Sequence, residues 1–126
     1  MTHTVTYNPE LGVIETDAQG NLSLSEAKEI ISAITQIAIE KDCFLCLSDY
    51  RKATIEMSTL QIYDIPKILS DIVTSFGLPP SKFKRAIIAE KGLRDYQFFE
   101  TVTLNMGQHV KLFQDMDEAR KWLCEE

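Results

Sequence analysis

No apolar run in this chain approaches the ~20 consecutive residues that a helix needs to cross a bilayer, so the sequence predicts no membrane span. A basic leader followed by an apolar core is missing too. The chain opens Met1-Thr2-His3-Thr4-Val5-Thr6, and the expected location is cytoplasmic. Basic residues are in deficit: 13 Lys and Arg face 19 Asp and Glu, a net charge of −6. That balance argues against a nucleic-acid partner, which requires a dense basic surface to displace counterions. It equally disfavours adsorption to anionic lipid by charge alone and is the usual solubility setting of a bacterial-type cytosolic protein.

Cysteine is scarce and odd in number. Cys43 and Cys46 form a C-x-x-C, but inside Cys43-Phe44-Leu45-Cys46-Leu47, which reads as a buried strand. On a strand, positions i and i+3 point to opposite faces, and neither a second C-x-x-C nor a nearby His completes a zinc site. Both are therefore expected to be small core residues. Catalytic signatures are absent as well: there is no G-x-S-x-G, P-loop, G-x-G-x-x-G or H-E-x-x-H. Of the two histidines, His3 falls in an N-terminus expected to be loose and His109 opens a strand. Glu15 and Asp17 share one strand face, where carboxylates are normally solvated. With no metal-ligand spacing among the acids and histidines, the sequence predicts no metal, no cofactor and no catalytic residue.

What is present is an ordinary globular composition, 44% apolar and 25% charged, in 126 residues, the size of one domain spanning 1–126. Thr4-Val5-Thr6-Tyr7, the turn Asn8-Pro9-Glu10 and an alternating run from Leu11 to Ala18 predict a hairpin, broken at Gln19-Gly20-Asn21. Ser23-x-x-Glu26 fits a capping box, and Ala27, Ile30, Ile31, Ile34, Ile37 and Ala38 form one helical stripe ending at Lys41-Asp42. Cys43–Leu47 and Ala86–Ala89 are unbroken apolar runs suited to central parallel strands. Between them, Leu60 to Phe76 reads as a helix closed by Gly77, with a kink or restart expected near Asp64-Ile65 because of Pro66. A third helix is predicted over about Leu93–Met106, with Phe98, Phe99, Val102 and Met106 inward. The strand His109–Phe113 follows, then a helix started by Asp115-x-x-Glu118 with Ala119, Trp122 and Leu123 on one face. The order β-β-α-β-α-β-α-β-α predicts an α/β fold: about five strands, mostly parallel, with an antiparallel N-terminal hairpin and helices packed against the sheet.

That order, and above all the ending Val110-Lys111-Leu112-Phe113-Gln114-Asp115-Met116-Asp117-Glu118-Ala119-Arg120-Lys121-Trp122-Leu123, resembles the STAS, or SpoIIAA-like (anti-sigma-factor antagonist-like), family. Members often finish with a strand, an acidic turn and a Glu-Ala-x-x-Trp-Leu helix. Arg85–Ala89, followed by an aromatic helix and Asn105-x-Gly107, is similar as well. Phospho-switched members carry Asp-x-Ser and Ser-Ser-Gly after the third strand. Here Ser48 to Thr59 has a serine at a helix start, Ser58, but no following glycine and a longer spacing. The chain thus fits better the SpoIIAA-like branch without that switch, which the resemblance associates with lipid or other small apolar ligands.

Ligands of open α/β sheets bind beyond the carboxyl ends of the strands. Two loops are predicted there, Ser48–Ser58 and Glu90–Asp95, and they offer Asp49, Tyr50, Arg51, Ser58, Thr59 and Arg94 as a candidate binding set. Arg51 and Arg94 could converge on an anion, helped by the helix start at Ser58. The simpler reading is that Ser58 or Thr59 caps a helix, Asp49 caps a turn, and both arginines are solvated or paired with acids. Among Tyr96, Phe98 and Phe99, which cannot all face one way, at least one is expected at a rim. A receiver-like phospho-acceptor role for Asp49 is rejected, because the chain opens with a hairpin and its last strand runs into Gln114-Asp115.

The expected function is that of a non-enzymatic regulatory or protein-interaction module. The alternative is a binding protein for a lipid-like or anionic small molecule, and an enzyme centred on Asp49, Tyr50 and Arg51 is the third. A packed interior with an exposed apolar patch would favour protein docking, and a cavity of about 300 Å³ or more would favour the ligand. The edge strand Thr4–Tyr7 leaves homodimerisation open.

Overall fold

Turn chemistry at the hairpin starts the fold. The Asn8 side-chain carbonyl accepts from the backbone N–H of Glu10 and Leu11, at 3.0 and 3.2 Å, and Gly12 closes the turn at φ +67°, a left-handed conformation that suits glycine. In the computed structural model, which describes residues 2–125, strands β1 (Thr2–Asn8) and β2 (Val13–Leu22) pair antiparallel around that turn. Helix α1 (Leu24–Lys41) leads to β3 (Leu45–Ile55), α2 (Thr59–Ser75) to β4 (Lys84–Ile88), and α3 (Leu93–Asn105) to β5 (His109–Phe113), before α4 (Met116–Leu123). The five strands lie in sequence order, and every pairing after the hairpin is parallel. This is the predicted order of elements.

Alternation of side chains along each strand divides the core into two layers. Ile14, Cys46 and Ile87 lie beneath α1, α2 and α3, packed with Ile30, Ile34, Leu69, Val73, Tyr96 and Phe99. Val13, Leu47, Ala86 and Ile88 point the other way, onto Ala119 and Leu123 of α4. Three helices thus cover one face, and the short α4 covers part of the other.

Several local expectations are corrected. Strand β2 does not break at Gln19-Gly20-Asn21 but runs on to Leu22, and β3 runs to Ile55, well past Leu47. The extra length is possible because the pairing shifts register: Asp17 faces Asp49, whereas Gln19 faces Lys52. Tyr50 and Arg51 therefore oppose the single residue Ala18, a bulge that lets the ladder continue. Helix α2 continues through Pro66 without a restart, and the Pro66 carbonyl accepts from Gln108 Nε2 at 2.7 Å. His3 is not loose: as part of β1 it pairs with Ala18 of β2, and its Nδ1 lies 3.1 Å from Glu26 Oε2. Ser23 accepts from the Glu26 backbone N–H, and the Glu26 carboxylate reaches His3, whereas the reciprocal box forms at Ser58 and Gln61. Cys43 precedes β3 instead of lying on it, so both thiols enter the same cluster under α1 and α2. Met106 is 54% exposed, because α3 ends at Asn105 and the chain turns away.

Candidate functional site

The sheet separates the residues that the sequence reading grouped together. Asp49, Tyr50 and Arg51 are strand residues, not a loop. Asp49 lines a polar groove of about 200 Å³ beside α4, with Thr4, Glu15, Asp17 and Arg120. Tyr50, its neighbour, lines a cavity on the opposite face, under α1, α2 and α3. Arg51 turns back onto Asp49 as a bidentate pair, Nε to Oδ1 at 2.9 Å and Nη2 to Oδ2 at 2.8 Å, and its backbone N–H donates to the same carboxylate. That guanidinium holds the Asp49 carboxyl below the usual carboxylate range against a smaller opposing effect of burial.

At the start of α2, Ser58 Oγ accepts from the Gln61 N–H at 3.1 Å and the Ser58 N–H donates to Gln61 Oε1 at 3.0 Å. Ser58 and Thr59 are exposed, as is Arg94 on the first turn of α3, and Arg94 makes no ion pair among the described residues. The simpler reading thus describes the capping serine and the paired arginine. Arg51→Ala is expected to leave the urea midpoint nearly unchanged, because the pair is solvent-exposed and such pairs contribute little. Unfolding of that variant would instead make the pair a clamp on the bulge.

The residues that do converge lie in the cavity that Tyr50 lines. Its walls are apolar, built from Ile30 and Ile34 of α1, Leu69 of α2 and Phe99 of α3. Its polar side comes from Ser48 and Tyr50 on β3 and Arg85 on β4. Strand geometry explains why these meet: Cys46, Ser48 and Tyr50 alternate onto one face, and β3 and β4 pair Cys46 with Arg85 and Ser48 with Ile87. Tyr50 stacks on buried Tyr96, with ring centroids 6.0 Å apart, and the Tyr96 hydroxyl donates to the Ala53 carbonyl at 2.8 Å. The cavity measures about 70 Å³. An apolar cavity of about 150 Å³ suffices for benzene, so the space as it stands suits a group smaller than a benzene ring.

Arg85 is the unusual member. It is half-buried, and its Nη2 donates to Gln108 Oε1 at 3.2 Å while its guanidinium lies 5.9 Å from the Phe99 ring centroid. Among the described residues no carboxylate lies within ion-pair distance of it. Burial pushes its pKa down, with the neighbouring Cys46 and Tyr50 acting the other way. Burial likewise raises Tyr50 to about 12, against the nearby Ser48 hydroxyl and Arg85 charge. A guanidinium carries five donors, and one accepting side chain does not satisfy them.

In the sequence, Arg85 stood out only as the first residue of the run Arg85–Ala89 that resembles SpoIIAA-like proteins. The available signal was parity, since Arg85 shares a face with Ile87 and therefore looks toward the helices. Gln108, its partner from beyond α3, has no local signature.

No family model matches the chain, and no curated protein matches it. Among solved structures, it is similar to an uncharacterised protein of the DUF3478 family from Shewanella loihica PV-4, described as having a SpoIIAA-like fold. The two share 19% identity over 98% of this chain and 93% of that one, with a TM-score of 0.56. The chain has a SpoIIAA-like fold, as its ending resembles, and no helix among the described residues is long and apolar enough to cross a membrane.

Proposed function

We propose that this SpoIIAA-like domain is a non-enzymatic binding module that holds a small molecule with an anionic head and a short apolar body between its three-helix layer and the sheet. The observation that carries this reading is Arg85, a half-buried guanidinium at the wall of an apolar cavity with no carboxylate partner among the described residues. A cation removed from water without a counter-charge is costly, and a carboxylate entering beside it would relieve that cost through charge-assisted hydrogen bonds. Tyr50 and Ser48 add neutral donors at the same wall. At about 70 Å³ the cavity does not reach the about 300 Å³ that would by itself favour a ligand, so this reading rests on Arg85 and not on volume, and the occupant is a short acid, or a longer one admitted by outward movement of α1 or α2.

Native mass spectrometry of the protein from its own host tests this reading, with spectra taken before and after mild denaturation. The expected result is a small co-purifying mass lost on unfolding and absent from Arg85→Met. A bare mass with no uptake of added short-chain carboxylates would count against it.

A second reading, docking of a protein partner in a regulatory role, is supported by a different surface. Leu60 and Tyr63, one turn apart on α2, are 71% and 61% exposed. A partner captured by the native protein but not by a Leu60→Ser, Tyr63→Ser variant would favour it.

A further inference from the structure

The first strand and the first helix bring together a donor set that sequence spacing does not suggest. A His3 imidazole nitrogen, a Glu26 carboxylate oxygen and a Glu29 carboxylate oxygen all lie within 4.8 Å of one another. His3 reaches inward from β1 because His3, Val5 and Tyr7 alternate toward α1. Glu26 and Glu29, three residues apart, share one face of α1. Hairpin register then sets His3 over the first turns of that helix by pairing it with Ala18.

We propose that His3, Glu26 and Glu29 form a binding site for a first-row divalent cation, with Zn²⁺ as its best fit. One imidazole nitrogen and two carboxylates are borderline-to-hard donors, a set that suits Zn²⁺ and its neighbours and is poorly matched to Ca²⁺ or Mg²⁺, which take oxygen alone. Ligand bonds of about 2.0–2.2 Å place adjacent donors roughly 3–3.5 Å apart around the ion. The His3–Glu26 separation of 3.1 Å already falls in that range. Glu29 is exposed, so its carboxylate can close the remaining distance by rotamer adjustment, and water completes the sphere on the open side. In the metal-free form, His3 and Glu26 hold the site together through their own contact. Bound metal would tie β1 to α1.

The proposal does not depend on the cavity, which lies deeper under the same helix. Isothermal titration of ZnCl₂ into the protein tests it, in a Cys124→Ser background because Cys124 is an exposed thiol able to bind zinc by itself. The expected result is saturable one-to-one binding, a rise in thermal midpoint with zinc and no comparable effect of MgCl₂. Glu29→Gln should weaken zinc binding by about 10- to 100-fold with the fold intact by circular dichroism, since its side chain makes no hydrogen bond among the described residues, and His3→Ala should do the same. Absence of saturable binding, or zinc affinity unchanged in both variants, overturns the site.

Discussion

Replacing Arg85 with methionine is expected to abolish carboxylate binding while leaving the domain folded. Charge-assisted hydrogen bonds contribute about 1.5–3 kcal/mol each, so loss of a two-pronged contact should weaken binding by at least ~100-fold. Two effects on stability oppose each other. Removing an incompletely satisfied, half-buried cation favours the native state, as replacement of buried ionic groups by hydrophobic residues often does. Gln108 Oε1 loses its donor, at a cost of about 1–3 kcal/mol, although Gln108 Nε2 keeps the Pro66 carbonyl. Methionine also suits the space, being flexible and of similar reach. A collapse of affinity accompanied by a small change in the urea midpoint is the expected signature, read by calorimetry and denaturation on one sample. A variant that unfolds would mean that Arg85 serves the packing of α2 on the sheet rather than a ligand.

Alkaline pH should destabilise the domain steeply. Burial raises the Cys46 thiol from 9.0 to about 12 and the Tyr50 hydroxyl from 10.0 to about 12. Both folded-state values exceed their unfolded ones, so the native state holds these protons more tightly. That stabilisation is fully present below pH 9 for Cys46 and below pH 10 for Tyr50, and it disappears as pH rises to 12. At pH 10.5 the unfolded state has released the Cys46 proton and the native state has not, which amounts to about 2 kcal/mol. Tyr50 adds less, because its own unfolded value lies closer to that pH. Urea midpoints at pH 8 and pH 10.5 check the sign, and Cys46→Ala should flatten the difference. A stability independent of pH over that interval would show that the thiol is not sealed in the core.

Periodic and punctuating signals made most of the architecture legible. The stripe from Ala27 to Ala38, the Asp115 cap and the unbroken apolar runs at Cys43–Leu47 and Ala86–Ala89 each marked an element, though not its ends. Polar strand extensions were not legible. Gly20-Asn21 and Asp49-Tyr50-Arg51-Lys52 have turn-like or charged composition, yet they remain in the sheet because the bulge opposite Ala18 preserves pairing and Asp49 and Arg51 satisfy each other on the surface. That error carried into the site, since a loop can bring consecutive side chains together whereas a strand sends them to opposite faces. The cavity depends on residues from β3, β4 and three helices, and Gln108 approaches Arg85 from 23 positions away. Such convergence is a property of packing and leaves no local pattern. The likeness of the ending to SpoIIAA-like proteins reached the fold, while the position of the Arg85 guanidinium at the cavity wall emerged only in three dimensions.

The most direct test of the cavity's role is an NMR titration of the isotope-labelled protein with butyrate, repeated with the neutral isostere butyramide. If a small anion occupies the cavity, butyrate will shift the Arg85 Nε–H resonance and the amides of Ser48 and Tyr50 saturably, and butyramide will not. No shift of these resonances with butyrate, or equal shifts with both compounds, would contradict an anion site at Arg85.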